Sequence, residues 1–176
     1  MIKRQLLALL LIVGVLTAVT PATGASAASI PRAHAAVVMD HPHFLDKTRF
    51  LLHTGAAFYA FHHWVIRVWQ QGGFKKGAKH RVSNIIKAGI ATLFAAHELQ
   101  VAYNIAKKSN SKTLHAIIAP VQKLLSIAQR AGSSLRHGNY NASDVQTMSH
   151  DVSSLASTAA SAGIPIRDIV TPIAGL

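Results

Sequence analysis

The chain has 176 residues, no cysteine, 18 lysines and arginines against six acidic residues, and 11 histidines, for a formal charge of +12. Without cysteine there are no disulfides, thiolate ligands, iron–sulfur clusters or cysteine nucleophiles, so packing alone must hold the fold. Six carboxylates supply little general acid or base, and the positive charge favours polyanionic partners: envelope polymer, phospholipid headgroups or, without sequence specificity, nucleic acid.

The first residues carry Lys3 and Arg4, an apolar run follows from Leu6 to Val19, and the small-residue segment TPATGASAAS comes next. That order predicts a secretory signal peptide over residues 1–27, cleaved after Ala27, with Ala28 as the one-residue alternative. The apolar run spans 14 residues, short of the roughly 20 that a membrane-spanning helix needs. The protein is therefore expected to be secreted or otherwise extracytoplasmic, with access to the cell surface. Residues 28–42 have small side chains, two prolines and no periodicity, and read as a flexible lead-in. Residues 43–176 are long enough to bury a core as one domain.

Within that domain a first helix is predicted from Phe44 to Gln70. Phe50, Thr54, Ala57, Phe61, Trp64 and Val68 recur at alternating steps of four and three and so share a face, which Phe58, Val65 and Trp69 widen. Gly72-Gly73 ends it. A basic connector, FKKGAKHR, leads to a second helix over about Ser83–Lys107. This one is apolar on most of its circumference, with Ile86, Ile90 and Leu93 on one side and Ala88, Ala95 and Ala102 at seven-residue spacing on another. A helix apolar all round belongs at the centre of a fold. After the polar turn KKSNSKT, Leu114, Ile117, Val121, Leu124, Ala128, Ala131 and Leu135 repeat unbroken, and Pro120 inside the repeat predicts a kink. A last helix starts at Asn141 or Ser143, capped by Asn141, and stops at Gly163. The tail IPIRDIVTPIAGL is expected to pack across one end. Four helices on short connections predict an all-α fold, an antiparallel four-helix bundle or a close relative.

The histidines raise the question of metal. Two ligands on one helix need a spacing of three or four to share a face, and no two histidines in this chain are so spaced. His62 and His63, adjacent in YAFHHWVIR, point about 100° apart on an α-helix. His97-Glu98-Leu99-Gln100-Val101 opens like a zinc-protease helix but has Val101 where the second histidine belongs. His97 shares a side with Ile86, Ile90 and Leu93, which predicts a buried imidazole. Glu98, the one glutamate, falls on the alanine-rich side and needs a cation or donor. Arg49, His53, His63 and Arg67 are the candidates, so His53, His63, His97 and Glu98 are expected to form a buried polar contact. Asp40, His41, His43 and Asp46 in DHPHFLD offer imidazole and carboxylate where the lead-in meets a helix, a set that suits zinc, copper or nickel.

No G-x-S-x-G elbow, phosphate-binding glycine loop or usefully spaced carboxylate pair occurs. The expectation is a protein that is no enzyme and needs no cofactor. The remaining feature is the connector, where Arg67, Lys75, Lys76, Lys79, His80, Arg81 and Lys87 crowd one end beside Trp69 and Phe74. Such a tip suits an anionic polymer or membrane surface at the cell envelope. Two alternatives stand beside it: an extracytoplasmic protein that binds a transition metal or haem through histidines, and a structural or protein-interaction module.

The segments DKTRFLLHTGAAFYAFHHWV and IIKAGIATLFAAHELQVA together resemble an uncharacterised family of small exported helical proteins from Gram-positive bacteria. The resemblance spans roughly residues 44–106 and implies export and a helical domain; it implies no activity, ligand or site.

Overall fold

A computed structural model describes residues 42–176; the expected signal peptide and residues 28–41 of the expected lead-in, Asp40 and His41 among them, lie outside the described residues. The described residues are helical, with no strand among them. The first rod is α1 (Pro42–Ala60), a π-helical turn (Phe61–Ile66) and α2 (Arg67–Gln70), continuous with one another. Then come α3 (Arg81–Lys108), α4 (Lys112–Ala116), α5 (Ile118–Arg136) and α6 (Ala142–Ser161).

The third helix is the centre. It packs against α1 on one side and α5 on the other, and α6 packs on α5 and touches the π turn. Ala88, Ala91, Ala95, Ala102 and Ala106 are fully buried, and the close approach they allow is completed by glycine. A Cβ on Gly89 would lie 2.2 Å from the backbone nitrogen of Arg136, and one on Gly132 would lie 3.0 Å from Leu93. These contacts step in opposite directions along α3 and α5, so the two run antiparallel. Contacts along α1 and α3 do the same: His53 meets Glu98, and Trp64 meets Lys87 a few turns on.

The third rod keeps the expected stripe, with Leu114, Ile117, Val121, Leu124, Ala128, Ala131 and Leu135 all buried. Where the sequence predicts a kink, the chain breaks outright at Ile117, which leaves helical geometry at ψ 3°. Pro120 then falls in the first turn of α5, where its missing N–H has no intrahelical partner to lose. Asn141 caps α6 by accepting a hydrogen bond from the Ser143 amide at 3.0 Å. Gly163 closes the helix at φ +78°, and the Ile164 amide reaches back to the Ala159 carbonyl at 2.9 Å.

Two sequence expectations are corrected. Trp64 and Val68, expected at the centre of the core face of the first rod, are half-buried and pack at its edge, while Val65, expected only to widen that face, is fully buried and Ile66 is buried with it. The π turn is the cause, because its wider turn rotates everything beyond Phe61 relative to a regular α-helix. The other face in question is that of Ile86, Ile90 and Leu93 on α3. It is the outward face, with Ile86 exposed and the other two half-buried. The core is built from the alanine side because α1 and α5 can both come closer there.

The tail also differs from expectation. It runs along the side of α1, where the Ile169 amide donates to the Gly55 carbonyl at 3.0 Å. A Cβ on Gly55 would sit 2.5 Å from the Arg167 carbonyl oxygen, so the crossing requires glycine. The tail ends over α3 and the end of α5, where Ala174 lines a shallow cleft with Ile90, Leu93 and Arg136.

Candidate functional site

The connector between α2 and α3 is a succession of tight turns. The Lys75 amide bonds to Gly72, Ala78 to Lys75 and Arg81 to Ala78. Gly72 (φ +76°) supplies the left-handed step that ends α2. Phe74, expected beside the tip, is instead its anchor: it is buried to 1% and packs on Tyr140 of the α5–α6 connection at 5.3 Å between ring centroids. Two side chains tie the loop back to α3. Arg81 Nε donates to the Phe74 carbonyl at 2.9 Å, and Asn84 Nδ2 donates to the Gly73 carbonyl at 3.3 Å.

On that anchored frame Lys75, Lys76, Lys79 and His80 are all exposed, as are Arg67 and Lys87. Among the described residues none of the six makes an ion pair. Lys87 extends its Nζ over the Trp64 ring at 5.9 Å, a cation–π contact that leaves its charge available. Arg81 differs from the rest, since its half-buried guanidinium is engaged in holding the loop. Exposed Arg136, the last residue of α5, and His137 just beyond it add to this end of the bundle, and Asp144 lies in the first turn of α6.

His80 is the one non-glycine residue in the described chain with a positive φ, at +59°. A left-handed L-residue costs on the order of 1–2 kcal/mol. His80→Gly should therefore raise stability by about 1 kcal/mol in urea unfolding, the relief of backbone strain offset in part by glycine's greater freedom when unfolded. The tip keeps a cationisable side chain where glycine would be cheaper.

Of the four residues expected to form a buried polar contact, His53 and Glu98 meet, while His63 and His97 stand apart. His53 Nδ1 meets Glu98 Oε2 at 2.6 Å across the α1–α3 seam, with the two side chains 26% and 15% exposed. His63 does not join them: it stacks on Tyr59 at 5.2 Å and lies edge-on to Trp64 at 5.0 Å. His97 is exposed, contrary to the buried imidazole expected, because it belongs to the outward face of α3. Of the DHPHFLD set, Asp40 and His41 lie outside the described residues, and His43 is placed by its backbone in α1. Asp46 lines a cleft of about 290 Å³ between α1 and α3 with Arg49, Val101, Asn104, Ile105 and Lys108. Among the described residues no three histidines or acids converge as a metal would require.

Two polar contacts were not legible beforehand. His62 Nδ1 lies 2.9 Å from both carboxylate oxygens of Asp168, clasping the tail to the π turn. Asp151, on α6, is 3% exposed; its Oδ1 accepts from Lys123 Nζ of α5 at 2.7 Å, and its buried Oδ2 has no partner among the described residues. The sequence hint for Asp151 is its place beside the Met148, Val152 and Leu155 stripe. Nothing marks Asp168, which is 106 residues from its partner.

Fold and surface together define a basic all-α bundle with an anchored, cation-bearing end. Compared with known proteins, the chain matches no family model, no curated protein and no solved structure.

Proposed function

We propose that this is an exported, non-enzymatic binding protein of the cell envelope. Its partner is a phosphate-bearing anionic surface, either a polymer or phospholipid headgroups, met by the 71–80 connector and its neighbours. The observation that carries the reading is the construction of the tip: exposed cations without ion pairs, on a loop anchored from beneath by Phe74 and Arg81. Flexible lysines on a floppy loop would serve solubility equally well. A loop anchored by one buried ring, hydrogen-bonded to α3 and strained at His80 serves recognition better, since less ordering remains to be done on binding. The N-terminal sequence supports the location.

The test is binding to soluble polyphosphate and to vesicles containing phosphatidylglycerol, across a salt series. Lys75, Lys76 and Lys79→Ala together should weaken binding by about 3 kcal/mol, roughly a hundredfold, at about 1 kcal/mol for each cation near an anionic surface. Binding should also fall steeply with salt. Arg81 is left intact, because its loss would loosen the loop as well as remove charge. Salt-independent binding, or binding unchanged in the triple variant, would overturn the reading.

A further inference from the structure

Beside the cationic tip lies a second surface feature. Val82 and Ile86 occupy successive turns on the outward face of α3 and are 60% and 36% exposed, among the few large aliphatic side chains left bare in the described chain. They follow directly on Lys79, His80 and Arg81. The same face continues to Ile90 and Leu93, but there the protein covers itself. A Cβ on Gly175 would be 3.9 Å from Ile90 Cδ1, and Ala174 lines a cleft with Ile90, Leu93 and Arg136.

The extent of the bare stretch is informative. Four residues of α-helix rise about 6 Å, so Val82 and Ile86 project within one or two turns of the tip and no further. An interfacial protein segment sits about 5–10 Å into the boundary between headgroups and acyl chains. The apolar face is thus open only beside the tip, where side chains of the first turns of α3 can enter that boundary, and closed by the C-terminal tail beyond it. A soluble polyanion offers nothing apolar for Val82 and Ile86 to contact. A bilayer offers both chemistries at once, phosphate for the lysines and hydrocarbon for the aliphatics.

We infer that the tip docks obliquely to an anionic phospholipid bilayer through the first turns of the outward face of α3, with Lys75, Lys76 and Lys79 at the headgroup phosphates and Val82 and Ile86 inserted beside them. This rests on the cationic-tip reading and narrows it from any phosphate-bearing surface to a membrane. It also gives a use to the outward face of α3, which sequence patterning assigned to the core.

The experiment compares the chain with its Val82→Ser/Ile86→Ser variant on three probes: mixed phosphatidylglycerol–phosphatidylcholine vesicles, phosphatidylcholine vesicles and soluble polyphosphate. The variant should bind the mixed vesicles roughly tenfold more weakly and bind polyphosphate as before. Both substitutions are on exposed positions, so folding should be retained. A second measurement uses the absence of natural cysteine: a polarity-sensitive fluorophore on V82C should shift to the blue on the mixed vesicles, and the same label on K112C, at the other end, should not. Equal vesicle binding by chain and variant, or no shift at V82C, overturns the insertion while leaving the cationic tip intact. Failure of the unaltered chain to bind either the mixed vesicles or polyphosphate overturns the tip reading, and the insertion with it.

Discussion

Gly89→Ala should destabilise the bundle by about 3 kcal/mol, the upper part of the range for forcing extra atoms into a packed interior. Gly89 is buried on α3, and a Cβ there would lie 2.2 Å from the backbone nitrogen and 2.6 Å from the Cα of Arg136. The obstacle is the backbone of another helix, with no side chain to rotate aside, so α5 must move outward as a body. Such a shift disturbs contacts well beyond residue 89, since Leu124, Ala128, Ala131 and Leu135 of α5 all pack in the same core. Intrinsic propensity works the other way, because alanine favours a helix interior over glycine by nearly 1 kcal/mol. Urea unfolding therefore weighs two opposed effects. A stability equal to or above that of the unsubstituted chain would mean that α3 and α5 are not in backbone contact.

Phe74→Ala should cost 3–5 kcal/mol, as expected when a buried phenyl ring is truncated. Phe74 is 1% exposed and carries the contact between the α2–α3 connector and Tyr140. Its carbonyl also holds Arg81, so loosening the ring frees the guanidinium. The variant keeps every cation of the tip, which separates charge from shape. Salt-dependent attraction to anionic vesicles should persist, because it depends on net charge over a Debye length of about 10 Å at 0.1 M salt. Affinity should fall severalfold, since a mobile loop must be ordered on binding. Full retention of stability would show that the loop is not anchored where the structure places it.

The same comparison explains how an unusual residue at a turn can be tolerated. His80 stands in left-handed backbone at the start of α3, between a succession of turns and a 28-residue helix. Those neighbours fix its conformation from both sides. The strain is small against the burial of Phe74, Ile85 and Ala88 that surrounds it in sequence.

Much of this architecture was determined by sequence alone. Every residue of the three–four repeat from Leu114 to Leu135 is buried, because that stretch is apolar on one stripe and mostly polar elsewhere. Asn141 and Gly163 mark the ends of α6 through local hydrogen bonding and local φ, which need no tertiary partner. The clustering of cations between Arg67 and Lys87 is likewise a property of the chain. Tertiary structure decided the rest. A helix apolar on all sides carries no information about which side turns inward, and only the near approach of α1 and α5 to alanine and glycine settled that for α3. This is why His97 and Ile86 face out. The π turn adds a rotation that no local signal announced, shifting the centre of the core face from Trp64 toward Val65 and Ile66. His53 with Glu98, His62 with Asp168 and Lys123 with Asp151 are meetings of residues 28 to 106 positions apart. Their pairing depends on how the helices and tail are laid against one another, a global arrangement that no local stretch of the sequence specifies.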